Sequence, residues 1–231
     1  MKYKYKTIIL FFVIAITGLC ASLSWSENSS TFPKKELLES KIKKYSTKEL
    51  LQYLSLDSIN WQYEEYQNDI RFIIRDELVR RKQITPLIKA FENPLDEDQQ
   101  LIVAQALFYI DDNKIAPTFK KHISSEINDT MYFCLNYLAK RGDKEALRIL
   151  NVNYFHYGVS SAQRADTVQW FGKYKYRQAI PNLIDSLNAA SLILVGASQK
   201  SLEQIFDGPH PDFKTIEEMK TYFENLYEKN R

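Results

Sequence analysis

The chain has 231 residues, 45% of them hydrophobic and 26% charged, with only 6 Gly and 7 Pro. That apolar fraction excludes a disordered chain, and so few breakers among many Leu, Ile, Lys and Glu exclude a turn-rich β fold in favour of helix. The formal net charge is +2, which is no basic excess of the kind that nucleic-acid binders cluster on one surface.

The first 26 residues form a separate segment. Lys2, Lys4 and Lys6 precede the uncharged run from Thr7 to Leu19, and small residues follow in "CASLSWS". Basic, apolar, then small and polar is the order of a secretory signal peptide. The apolar core of 13 residues is short for a membrane-spanning helix of about 20. The competing reading is an uncleaved inner-membrane anchor over residues 7–26. Cys20 invites a lipoprotein reading, but bulky Leu19 stands where a lipobox has a small residue. Export with cleavage between Ala21 and Glu27 is the expectation, and a bacterial periplasm or secretion is the implied destination. Loss of the three leader lysines takes Lys plus Arg from 31 to 28 against 29 acids. The mature chain is then nearly neutral, which argues against a nucleic-acid partner.

Residues 27–45 read as a lead-in and a first helix, and residues 46–207 as the body of the protein. Ser46 and Glu49 form a capping-box pattern at a helix start. In "RFIIRDELVRRK" the spacing pairs Asp76 with Arg80 and Glu77 with Arg81 on a solvated helix face. "ITPLIKAF", "IAPTFKKHI" and "AIPNLIDSL" each place Pro third and an apolar residue two positions later, at Ile88, Phe119 and Leu183. "EALRILN" repeats the pattern with Arg148 in the proline's place and Leu150 in the apolar one. The steps Pro86, Pro117, Arg148, Pro181 are 31, 31 and 33 residues. Proline suits a first helical turn, where its missing N–H has no partner anyway. Thr85 before Pro86 reads as an N-cap.

A second series, Leu107, Leu138, Phe171 and Leu202, keeps nearly the same period inside longer helical patterns. Each unit is therefore a short helix, a brief loop and a longer helix. Asp96, Glu97 and Asp98 open one of the longer helices, where acids complement the helix dipole. Cys134, among Phe133, Leu135 and Leu138, reads as a buried thiol, and with Cys20 removed no intramolecular disulfide can form. Residues 208–231 begin with the breaker "DGPHPDF", after which Thr215 opens a terminal helix with an apolar stripe of Ile216, Met219, Phe223 and Leu226.

Two-helix units of this length define α-solenoids. "AIPNLIDSL" with "GASQKSLEQI" resembles the two helices of a HEAT repeat. The resemblance covers about Gln83 to Asp207, four units. A degenerate fifth precedes them, and the third weakens where residues 162–168 are polar. The expected fold is all-α, a superhelix of four to five helix pairs with a C-terminal cap.

The resemblance implies a protein-binding scaffold, with another protein as partner and no cofactor, and the leader places it in the cell envelope as an expectation. An inhibitor or immunity protein of an exported toxin belongs to the same class. The sequence lacks a phosphate-binding glycine loop and the common hydrolase motifs. His122, His156 and His210 stand at no metal-binding helical spacing. A lyase-like helical-repeat enzyme is the alternative of a different class. The least ordinary segment is "NVNYFHYG", whose Tyr154, Phe155 and Tyr157 read either as a plug of the core or as a binding loop extended by Trp170 and Tyr174.

Overall fold

Why the chain breaks into short helices is visible at their starts. Serine, aspartate, asparagine or threonine side chains accept first-turn N–H groups at Ser46, Asp96, Asn128, Asp143, Ser160 and Thr215, satisfying donors that helix geometry leaves unpaired. The computed structural model describes residues 35–55, 67–123, 128–154 and 160–231. The leader, its cleavage sites and Cys20 lie outside the described residues. The chain divides into a unit of residues 1–38, described only where a helix begins at Lys35, and a unit of residues 39–231.

Twelve helices and no strands occur among the described residues. They are α1 (Lys35–Ile42), α2 (Thr47–Tyr53), α3 (Gln67–Arg81), α4 (Ile84–Glu92), α5 (Glu97–Ile110), α6 (Ala116–His122), α7 (Asp129–Ala139), α8 (Lys144–Val152), α9 (Ser161–Lys173), α10 (Ile180–Ser186), α11 (Leu192–Phe206) and α12 (Ile216–Lys229). The longer members α3, α5, α7, α9 and α11 pack each on the next, forming one layer. The shorter α2, α4, α6 and α10 each pack on their longer partner, and α8 packs between α7 and α9. This is the expected all-α, solenoid-like stack. The terminal α12 packs on α10, as a cap should.

The core follows the sequence register. Leu107, Leu138, Phe171 and Leu202 are all buried, as are Phe119, Leu150 and Leu183. Helix α7 sits between neighbours on two sides, and residues 134–139 are buried without a break. A helix covered on several sides is apolar on most of its faces. Cys134 lies inside it, fully buried, and burial pushes its thiol pKa up.

Three local expectations need correction. Helix α4 starts at Ile84 with Gln83 at its cap and no side-chain capping bond, so Thr85 lies inside the first turn. Leu87 is buried there, and Ile88 is half-exposed. By contrast, Pro117 and Pro181 follow a 3₁₀ turn and stand second in their helices. On α3 the Glu77–Arg81 pair forms at 2.7 Å, but Arg80 also turns to Glu77 and Asp76 pairs with its neighbour Arg75.

The polar stretch of α9 has a structural use. Thr167 donates to Asn136 Oδ1 at 3.0 Å, and Asn136 donates to Tyr132 O at 3.0 Å, joining α7 and α9 through a buried network. Gln163 completes a capping box with Ser160. On the other side of α9, Gly172 admits α11: a Cβ there would stand 2.7 Å from Ser201 Cα. The hydroxyl of Ser201 in turn lies 2.8 Å from Val168 O.

Chain reversal after each longer helix uses a left-handed residue. Lys82, Asp111, Gly142, Lys175 and Asp207 all have positive φ, and only one of them is glycine. After α7 and α9 the next N–H reaches back five residues, Asp143 to Leu138 O and Tyr176 to Phe171 O, the Schellman arrangement.

Candidate binding face

Residues that point away from the shorter helices make up the outer face of the longer layer. On α3 and α5 that face is aromatic and cationic. Phe72 is 42% and Tyr109 52% exposed. Between them lies the Arg75 guanidinium, 4.9 Å from the Phe72 ring centre and 5.2 Å from that of Tyr109. Asp76 at 2.8 Å and Gln105 at 3.4 Å hold it in place.

Ring contacts carry the surface onward. Tyr109 meets Phe108 edge-on at 5.4 Å, Phe108 meets Phe133 at 5.7 Å, and Phe133 meets Tyr132 at 5.7 Å. The run crosses three helices. Edge-to-face pairs and guanidinium stacking each stabilise by about 0.5–1.5 kcal/mol, so the rings are fixed before anything binds. On α9 the face continues with Asp166 and Trp170, one turn apart. Asp166 is exposed, and desolvation by its neighbours raises its pKa.

Three of the five aromatic residues singled out in the sequence, Tyr154, Trp170 and Tyr174, lie among the described residues, and their surroundings differ. Tyr154 is 3% exposed and packs on Phe171. Ser186 donates its own hydroxyl to Asn182 O, so the 2.8 Å contact to Ser186 Oγ is a bond that Tyr154 donates. Tyr154 therefore plugs the core and offers no surface. Phe155 and Tyr157, like His156, lie outside the described residues. Tyr174 points to the turn after α7, where its hydroxyl donates to Lys140 O at 2.7 Å and its ring lies against Gly142. Trp170 is half-buried on α9, with Lys173 Nζ 5.7 Å from its ring.

The sequence reasoning missed Phe72, Arg75 and Tyr109. The available signal was aromatic residues outside the apolar stripe of their helices, where core burial does not call for them.

Other ionisable groups are engaged in the fold. His122 Nδ1 donates to Thr118 O at 2.8 Å, and His210 Nε2 to Glu203 O at 3.2 Å. No cluster of three metal-ligating side chains occurs among the described residues. An open hollow of about 430 Å³ lies between α6 and the turn after α7. Its Lys120 and Asp143 pair with one another at 2.8 Å, and its Arg141 pairs with Asp111 at 2.7 Å. No helix among the described residues is long and apolar enough to cross a membrane. No protein-family model matches this chain, and no curated protein matches it significantly.

Proposed function

We propose that the protein is an exported scaffold of HEAT-repeat type that binds another protein through the outer face of α3, α5, α7 and α9. The observation that carries this reading is the run of contacts from Phe72 through Arg75, Tyr109 and Phe108 to Phe133, with large rings left partly in solvent. Aromatic residues and arginine dominate the energetics of protein interfaces, and rings already locked by their neighbours lose little entropy on binding. The leader pattern supports export. An envelope adaptor and an inhibitor of an exported toxin both fit this role.

The test is capture from an envelope extract by the tagged mature chain, with mass spectrometry of what is retained. A Phe72→Ala/Tyr109→Ala variant is expected to lose its specific partner by tenfold or more, about 1.4 kcal/mol, while staying folded, its melting temperature lowered by the lost ring contacts. Retention of the same partner at wild-type level would contradict this face.

A further inference from the structure

The longer helices repeat in register, so equivalent positions stand side by side on the outer face. Phe133 lies five residues before the register residue Leu138, and Asp166 lies five before Phe171. The carboxylate of α9 thus occupies the place that a ring occupies on α7, and α7 and α9 are in contact. Their buried network confirms the alignment: Thr167, next to Asp166, lies 3.4 Å from the hydroxyl of Tyr132, next to Phe133. Trp170 follows Asp166 by one helical turn.

Asp166 makes no ion pair or hydrogen bond with any described residue. Lys173, two turns along the same helix, donates to Lys140 O at 3.3 Å and lies 5.7 Å from the Trp170 ring, away from the Asp166 carboxylate. An incoming cation would supply the counter-ion that this carboxylate lacks. Ring faces beside it attract a cation through their quadrupole. The same surface already does so at Arg75, held over Phe72 and Tyr109.

We infer that Asp166, flanked by Phe133 and Trp170, is the seat for a lysine or arginine side chain presented by the protein partner. This rests on the reading of the outer face as the binding surface. A basic side chain fits all three features, since its stem lies on the rings while its head meets the carboxylate. An acidic segment would meet Asp166 with like charge, and a purely apolar one would leave the carboxylate buried and unpaired.

The test uses a random dodecapeptide display library panned on the mature chain. Selected peptides are expected to share a lysine or arginine next to an apolar residue. For the best peptide, Asp166→Asn should weaken binding about tenfold, and replacing the peptide's basic residue by norleucine should weaken the wild type but add little in Asp166→Asn. Phe133→Ala should weaken the same peptide. Equal losses from the norleucine exchange in both proteins would place the basic residue elsewhere and overturn the inference. So would a selection that yields acidic peptides, neutral peptides or none. In those cases a loss of capture in Phe72→Ala/Tyr109→Ala still upholds the binding face, so the two readings fail separately.

Discussion

The turn edge and the outer face of the longer layer are both exposed and both carry charge, yet they use it differently. Toward the turn edge several carboxylates have their own cations. Glu77 holds Arg80 and Arg81, Asp111 holds Lys140 and Arg141, Asp143 holds Lys120, and Asp207 holds Lys175. Most of these pairs join consecutive units, and Tyr174 adds a hydrogen bond to Lys140 O across the same step. On the α9 part of the outer face Asp166 stands without a partner among the described residues, beside aromatic rings. Charge that closes on itself holds the stack together, and charge left open is available to something else.

Acid should expose the first kind of charge most strongly. Arg80, followed by Arg81, pulls the Glu77 carboxyl from 4.5 down to about 2, and its side chain is only 5% exposed. A depressed carboxylate pKa contributes stability that is complete above the unfolded value of about 4.5 and is lost as pH falls toward 2. Glu77→Gln is therefore expected to lower unfolding free energy by about 2–3 kcal/mol at pH 7. Urea titrations should show the gap to wild type closing between pH 4.5 and 2. A gap that stays constant with pH would remove the ion pair from the account.

Two glycines sharpen the contrast at smaller magnitude. Gly142 on the turn edge has φ +78, and a Cβ there would stand 2.8 Å from the Tyr174 ring. Gly142→Ala is expected to destabilise by about 1–2 kcal/mol, from left-handed strain and displacement of that ring. Gly196 lies exposed inside α11 with open space around its Cβ position. Gly196→Ala should stabilise by about 0.5–1 kcal/mol through helix propensity. Denaturant midpoints of the two variants should move in opposite directions, and a shift in the same direction would break the distinction.

The fold was legible because its signal is redundant. Register residues Leu107, Leu138, Phe171 and Leu202 recur with the prolines, so two series report one period. The turn edge was not legible, because four of its five left-handed residues are Lys or Asp. Lys and Asp carry no sequence mark of a positive φ, and a partner such as Asp207 for Lys175 lies a repeat away. The polarity of α9 looked like a failing repeat, since nothing local shows that Thr167 serves Asn136. The binding face was hidden for a related reason. Phe72, Arg75 and Tyr109 come together only when α3 stacks on α5, whereas attention to loops selected Tyr154, whose ring fills the core.

The most direct measurement compares Asp111→Asn with Asp166→Asn by chemical denaturation at neutral pH. Asparagine tolerates the left-handed backbone at Asp111, φ +58, and matches aspartate in helix propensity at Asp166. Each exchange therefore isolates the charge. Lys140 and Arg141 lower the Asp111 pKa against the opposing effect of burial. Its side chain is 35% exposed, so screening limits the expected loss to about 1 kcal/mol. Burial raises the Asp166 pKa, so ionisation is less favourable in the fold than in the unfolded chain, and Asp166→Asn should leave stability unchanged or increase it. Equal destabilisation by both exchanges would show that Asp166 is already partnered, and would contradict the claim that this face holds its charge for a binding protein.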